Sequence, residues 1–141
     1  MECFGQHLMI DGYGSSSEIL KDMDLIYNFL DTYPDKMGMT KIMPPYVFKY
    51  VGKKPEDWGL SGVVLIAESH ISIHTFPLKQ YLSLDIFSCK IFNPDNAVRF
   101  IENLFGLEKT EVNLLDRGLE FPKDIRLATD IVFKERVGLA R

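Results

Sequence analysis

The stretch His70-Ile71-Ser72-Ile73-His74-Thr75-Phe76-Pro77-Leu78-Lys79-Gln80-Tyr81-Leu82-Ser83-Leu84-Asp85-Ile86-Phe87-Ser88-Cys89 decides the fold. On both sides of Pro77-Leu78-Lys79-Gln80, aliphatic residues alternate with polar or aromatic ones, the period-2 pattern of a half-buried strand. Two such runs separated by a short breaker read as a hairpin. A turn about Leu78-Lys79 sets His74 opposite Ser83, Ser72 opposite Asp85 and His70 opposite Phe87. Cross-strand partners share a face. One face then holds Ile71, Ile73, Leu82, Leu84 and Ile86 and needs a helix layer over it. The other holds His70, Ser72, His74, Phe76, Tyr81, Ser83, Asp85, Phe87 and Cys89. A slip of one residue would exchange the faces of one strand, and the clean aliphatic partition argues against it. In this register Cys89 falls opposite Glu68. Strict alternation puts Ser69 on the opposite face from His74, so a kink is expected near Ser69, where irregular backbone points to function.

The flanks extend the pattern. Leu60 to Phe76 is the most strand-like part of the chain. Met39 to Tyr50 is extended but broken by Pro44-Pro45, as an edge strand or loop would be. Val51 to Gly59 reads as a loop in which Trp58 packs. Phe4 to Ile10 reads as a first strand, ended by Asp11-Gly12-Tyr13-Gly14. Ser15-Ser16-Ser17-Glu18 offers a capping box for a helix carrying Ile19, Leu20, Met23, Ile26, Phe29 and Leu30 and ending before Pro34. Asn93-Pro94-Asp95 opens another helix, and Gly106 ends it. Thr110 to Leu115 reads as a last strand. Ile125 to Phe133 is a short helix in the mixed tail from Gly118 onward. The order implies an α+β two-layer sandwich, a mostly antiparallel sheet with helices on one face.

The totals restrict function. The chain has 141 residues, which fits one domain that buries about 68% of its unfolded surface. Hydrophobic residues make up 46% and charged residues 26%, ordinary values for a globular protein. A net charge of -4 and no basic block longer than Lys53-Lys54 argue against a nucleic-acid partner. Apolar runs of about five residues fall far short of the ~20 that span a bilayer, and the N-terminus lacks signal-peptide features. Cys3 and Cys89 are the two cysteines. They form neither a disulfide framework nor a zinc spacing, so reduced thiols in the cytoplasm and no metal are expected.

The pattern alone leaves the polar face open to more than one reading. It fits an ordinary solvated sheet face with an inert half-buried thiol at Cys89. It also fits a cysteine hydrolase in which a nearby histidine makes Cys89 a thiolate, although no orienting group or oxyanion donor is evident.

The string Glu68-Ser69-His70-Ile71-Ser72-Ile73-His74-Thr75, followed twenty residues after Ser69 by Cys89, resembles the prokaryotic S-adenosylmethionine decarboxylase family. Ser61-Gly62-Val63-Val64 and Gly5-Gln6-His7-Leu8 extend the resemblance, which covers roughly residues 4 to 117. It implies a proenzyme that cuts itself between Glu68 and Ser69 into a β chain, 1–68, and an α chain, 69–141. Ser69 would become a pyruvoyl group that holds the substrate as a Schiff base, with no metal. His74 and Ser61 match positions that assist processing, and Cys89 matches the proton donor. Phe76 matches an aromatic residue that stacks near adenine. The family forms dimers with active sites at the interface, so at least a homodimer is expected.

One position departs from the family strand, which usually runs His-Thr-aromatic-Pro-Glu. Leu78 stands where the family's Glu binds the two ribose hydroxyls. Leucine accepts no hydrogen bond, and a buried diol without its partner costs about 1–3 kcal/mol. The substrate therefore stays open between S-adenosylmethionine, the family default, and arginine or ornithine, with Asp85 available for a distal cation. An inactive regulatory member is a reading of a different class, and retention of Glu68-Ser69, His74 and Cys89 argues against it.

Overall fold

Among the described residues, 4–121 and 125–139 of a computed structural model, six strands make one antiparallel sheet. They are β1 (Gly5–Tyr13), β2 (Tyr46–Tyr50), β3 (Gly59–Ile66), β4 (Ser69–Phe76), β5 (Tyr81–Ser88) and β6 (Lys109–Arg117), in spatial order β2-β3-β4-β5-β1-β6. The helices are α1 (Ser17–Leu20), α2 (Met23–Lys36), α3 (Pro94–Phe105) and α4 (Ile125–Leu139). The β4–β5 pairing has the register set by the alternation, with His74 on Ser83, Ser72 on Asp85 and His70 on Phe87. Its connection is a single 3-10 turn, Pro77–Lys79, closed by Gln80 in the left-handed region.

The aliphatic face is the core. Ile71, Ile73, Leu82, Leu84 and Ile86 are buried together with Leu8 and Ile10 of β1, Leu20, Ile26, Phe29 and Leu30 from α1 and α2, and Ala97, Ile101 and Phe105 from α3. Burying each large apolar side chain contributes roughly 1.5–3 kcal/mol, so this layer drives the fold. Thr75 is the buried polar exception on β4. Its hydroxyl donates to the Leu20 carbonyl (2.8 Å) and accepts from the Leu60 N–H (3.1 Å), which pins the end of α1 to the sheet.

Four local expectations change. First, β1 does not stop at Asp11-Gly12 but runs to Tyr13. Gly12 is there for space, because a Cβ would lie 2.7 Å from Leu107 Cδ1. Second, the helix after Gly14 is two helices. Ser16, not Ser15, caps α1, while the buried Ser15 hydroxyl donates to the Phe105 carbonyl (2.5 Å). Asp22 then breaks the run by capping α2, its carboxylate accepting from Leu25 N–H (3.1 Å), since a short acidic side chain competes with the helical backbone. Pro34 sits inside α2, which continues to Lys36. Pro34 is buried there and brings no N–H to the helix ladder. Third, Leu60 to Phe76 is not one strand. It folds back at Ala67-Glu68, with Ile66 paired to Ser69. Fourth, the last strand and the tail helix are longer than expected, reaching Arg117 and Leu139.

Asn93 caps α3, accepting from Asn96 N–H (3.1 Å), and Gly106 ends it at φ +62°, a conformation glycine adopts without strain. Cys3 lies outside the described residues. Among the described residues no helix is long and apolar enough to cross a membrane.

Candidate active site

The two-residue turn Ala67-Glu68 joins β3 to β4, so the Glu68–Ser69 bond lies at the mouth of a tight hairpin. Neither residue has turn chemistry of the Asn-Gly kind, which is why the break was not legible. Ser69 carries the expected irregularity, with φ +149°. A non-glycine residue held there is strained by about 1–3 kcal/mol and persists only where its surroundings over-determine it. One of those surroundings is Cys89, whose backbone N–H donates to the Glu68 carbonyl oxygen at 2.8 Å. That carbonyl directly precedes the Ser69 hydroxyl. An N–H aimed at it stabilises negative charge developing on the oxygen when a nucleophile adds to the carbon. The Cys89 side chain is a free, exposed thiol. At this end the core side of the sheet is polar. Ser69, Ser88 and Gln6 form one row across β4, β5 and β1, and Gln6 Oε1 is buried with no hydrogen-bond partner among the described residues.

The structure brings Ser61 and His74 together as a second group. They are paired across β3 and β4, and Ser61 Oγ lies 2.8 Å from His74 Nδ1. His74 is five positions along β4 from Ser69, which at about 3.4 Å per residue is ~17 Å. Within one protomer this pair is therefore not at the Ala67-Glu68 turn.

The rest of the open face is polar and aromatic. Asp85 already has a partner, its carboxylate 3.1 Å from His7 Nε2. The Arg117 guanidinium lies 3.5 Å from His7 Nδ1 and 4.2 Å over the Phe87 ring. His7 and Arg117 were not singled out from sequence, because β1 and β6 meet only in the folded sheet. His70 sits edge-on to Phe87 (5.7 Å between centroids). Desolvation, then the nearby His7, holds its imidazole below the usual histidine range. Phe76 stacks obliquely on Tyr81 (5.7 Å). Tyr81 donates to Asp11 (2.7 Å), and burial followed by that bond pushes its phenol up to about 12. Leu78 is exposed in the 3-10 turn. An apolar cleft of about 320 Å³, lined by Phe4, Phe87, Arg117, Gly118 and Phe121, opens beside this group. Among the described residues no group of three or more His, Cys, Asp or Glu is arranged to hold a metal ion.

A family model described as S-adenosylmethionine decarboxylase matches residues 6–118. An S-adenosylmethionine decarboxylase proenzyme of Pyrococcus abyssi is 32% identical over 139 residues, covering 97% of this chain and 95% of that one. The proenzyme of Thermococcus onnurineus is 37% identical over 122 residues (85% and 82%). Proenzyme 2 of Bacillus cereus is 30% identical over 117 (82% and 90%). In fold, the chain is similar to the crystal structure of the adenosylmethionine decarboxylase of Aquifex aeolicus, with a TM-score of 0.72, 24% identity, and coverage of 88% of this chain and 98% of that one. These relatives are named for the nucleoside substrate, so the arginine and ornithine alternatives raised by Leu78 gain no support from them. The chain belongs to the S-adenosylmethionine decarboxylase family.

Proposed function

We propose that this chain is a proenzyme that cuts itself between Glu68 and Ser69 and then decarboxylates S-adenosylmethionine in polyamine synthesis, using a pyruvoyl group made from Ser69. The observation that carries the reading is the Glu68 carbonyl, hydrogen-bonded by the Cys89 N–H and followed by a serine at φ +149°. Ser69 Oγ adds to the Glu68 carbonyl carbon. The C–N bond breaks as the nitrogen gains the hydroxyl proton, leaving an ester. Loss of the Ser69 Cα proton then expels the Glu68 carboxylate, and water releases the nitrogen as ammonia. The chains 1–68 and 69–141 result.

The pyruvoyl group supplies the electron sink that loss of carbon dioxide needs. The Cys89 thiol returns a proton to the substrate α-carbon in this reading, which its being free and exposed supports. Phe76 offers a ring face to the substrate base. Asp85, fixed by His7, supplies negative charge near the substrate cation.

Serine is a poor nucleophile unaided, and the Ser61–His74 pair is the group suited to take or relay its proton. Because that pair lies ~17 Å from Ser69 along β4, it acts on the cleavage turn of a second copy. The protein is therefore at least a homodimer of single-domain protomers, with the open sheet face between them. A cytoplasmic location belongs to the same reading, resting on two cysteines that need no oxidising compartment.

A denaturing gel tests the cleavage. Wild-type protein should give two bands matching 1–68 and 69–141, and Ser69→Ala one intact band. Carbon dioxide should be released from S-adenosylmethionine and not from arginine or ornithine. A single uncleaved wild-type band would sink the reading.

A further inference from the structure

The cleavage turn is gripped on a side that the chemistry above does not use. Residues 38–42, between α2 and β2, run antiparallel to the end of β3, with Lys41 bridged to Ile66. Ile42 N–H donates to the Leu65 carbonyl (3.1 Å), and Ala67 N–H to the Thr40 carbonyl (2.8 Å). Thr40 N–H donates to the Glu68 side-chain carboxylate (3.1 Å). Glu68 is thus held twice, by its carboxylate on Thr40 and by its carbonyl on Cys89.

Residues 38–42 are themselves anchored. Met39 is buried and its N–H donates to the Pro34 carbonyl of α2 (2.8 Å), and Lys41 is ion-paired with Asp31 of α2. The third anchor is Lys90, whose ammonium donates to the Gly38 carbonyl (2.6 Å). Lys90 directly follows Cys89. Its N–H donates to the buried Ser88 hydroxyl and its carbonyl accepts from it, both at 2.9 Å. The backbone that carries the Cys89 N–H is therefore fixed by the same residue that ties down residues 38–42.

We propose that residues 38–42 are a positioning strap for self-cleavage and that Lys90 is its latch, closing a clamp whose two jaws are Thr40 and the Cys89 N–H. This rests on the cleavage reading and adds to it the element that sets the geometry. With Glu68 fixed from both sides, the Ser69 backbone between Glu68 and the β4–β5 ladder has no room to relax, which accounts for φ +149° surviving at a serine. Release of either jaw lets Glu68 rotate, moving its carbonyl carbon away from the Ser69 oxygen and off the Cys89 N–H. Lys90 and Thr40 touch no reacting atom and act through Glu68 and Cys89.

The test follows conversion of freshly synthesised full-length chain into fragments 1–68 and 69–141. Lys90→Met keeps the aliphatic stem and removes the donor, and Glu68→Ala removes the carboxylate that Thr40 holds. Each should slow cleavage by roughly tenfold to a hundredfold, the scale of a small misplacement of reacting groups. Lys90→Arg and Glu68→Gln, which keep donor and acceptor, should regain most of the rate. A merely structural role would not give that rescue. Melting is measured with each change placed in the Ser69→Ala chain, where every molecule is intact. If Lys90→Met does not fold there, the Glu68 pair alone decides. Wild-type cleavage rates in the truncated variants overturn the strap, as do conservative variants as slow as the truncations. A wild-type chain that never cleaves overturns the function proposed above instead.

Discussion

The two ends of β4 are built on opposite principles. At the His74 end the strand is regular, its register follows the alternation of side chains, and the Ser61–His74 contact comes from ordinary cross-strand pairing. At the Ser69 end the strand is bent at φ +149°, its neighbour is a turn with no turn residues, and the contacts come from residues 38–42 and from Cys89. One end holds a hydrogen-bonded serine–histidine pair, and the other a serine in an unfavourable backbone conformation. They are ~17 Å apart. Alternation puts Ser69 on the core side and His74 on the open face, and one strand cannot bring them into contact, so the proposed processing role of the Ser61–His74 pair needs a second copy.

The largest expected effect breaks or confirms that separation. Ser69→Ala and His74→Ala chains should each stay intact when made alone. Made together, the His74→Ala chain should be cut, because the Ser69→Ala partner supplies His74, and a denaturing gel with differently tagged chains reads which one is cleaved. Two intact chains in the mixture would mean that the pair does not act across protomers. A smaller effect contrasts the two faces of β4 in the uncleavable Ser69→Ala background. Ile73→Ala, in the core, should destabilise by about 2–5 kcal/mol. Ser72→Ala, on the open face, should stay within about 0.5 kcal/mol. Urea unfolding measures both, and equal losses would erase the distinction between faces.

The smallest effect lies beside Ser69. Burial and His7 lower the folded-state pKa of His70, so the unfolded chain binds its proton first as pH falls. His70 therefore contributes stability that is fully present above the ordinary histidine value of about 6.5 and is lost as pH drops through the lowered folded value. The melting temperature of wild type should fall more steeply below about pH 6.5 than that of His70→Gln. Parallel curves would remove His70 as the cause.

The hairpin was legible because it is local. Ile71, Ile73, Leu82, Leu84 and Ile86 alternate within a few residues of a Pro-containing turn, and only one register buries them together. An irregular backbone at Ser69 was legible from its mismatch in phase with His74, and φ +149° is there, but the pairing runs unbroken through Ser69 and leaves it on the face opposite His74. The split of Leu60 to Phe76 at Ala67-Glu68 was not, because that turn is imposed by residues 38–42 and by Cys89 rather than by its own propensity. Capping by Ser16 instead of Ser15 was hidden for a related reason, since the Ser15 hydroxyl is taken by Phe105, 90 positions away.

Short-range periodicity determined the sheet face, the pairing of His74 with Ser83 and the placing of Cys89 opposite Glu68, because side-chain direction in a strand repeats every two residues regardless of what surrounds it. Contacts between distant segments were decided only by the tertiary structure. His7 meets Asp85 and Arg117, Lys90 meets Gly38, and Thr40 meets Glu68 through packing and strand order, which no local pattern encodes.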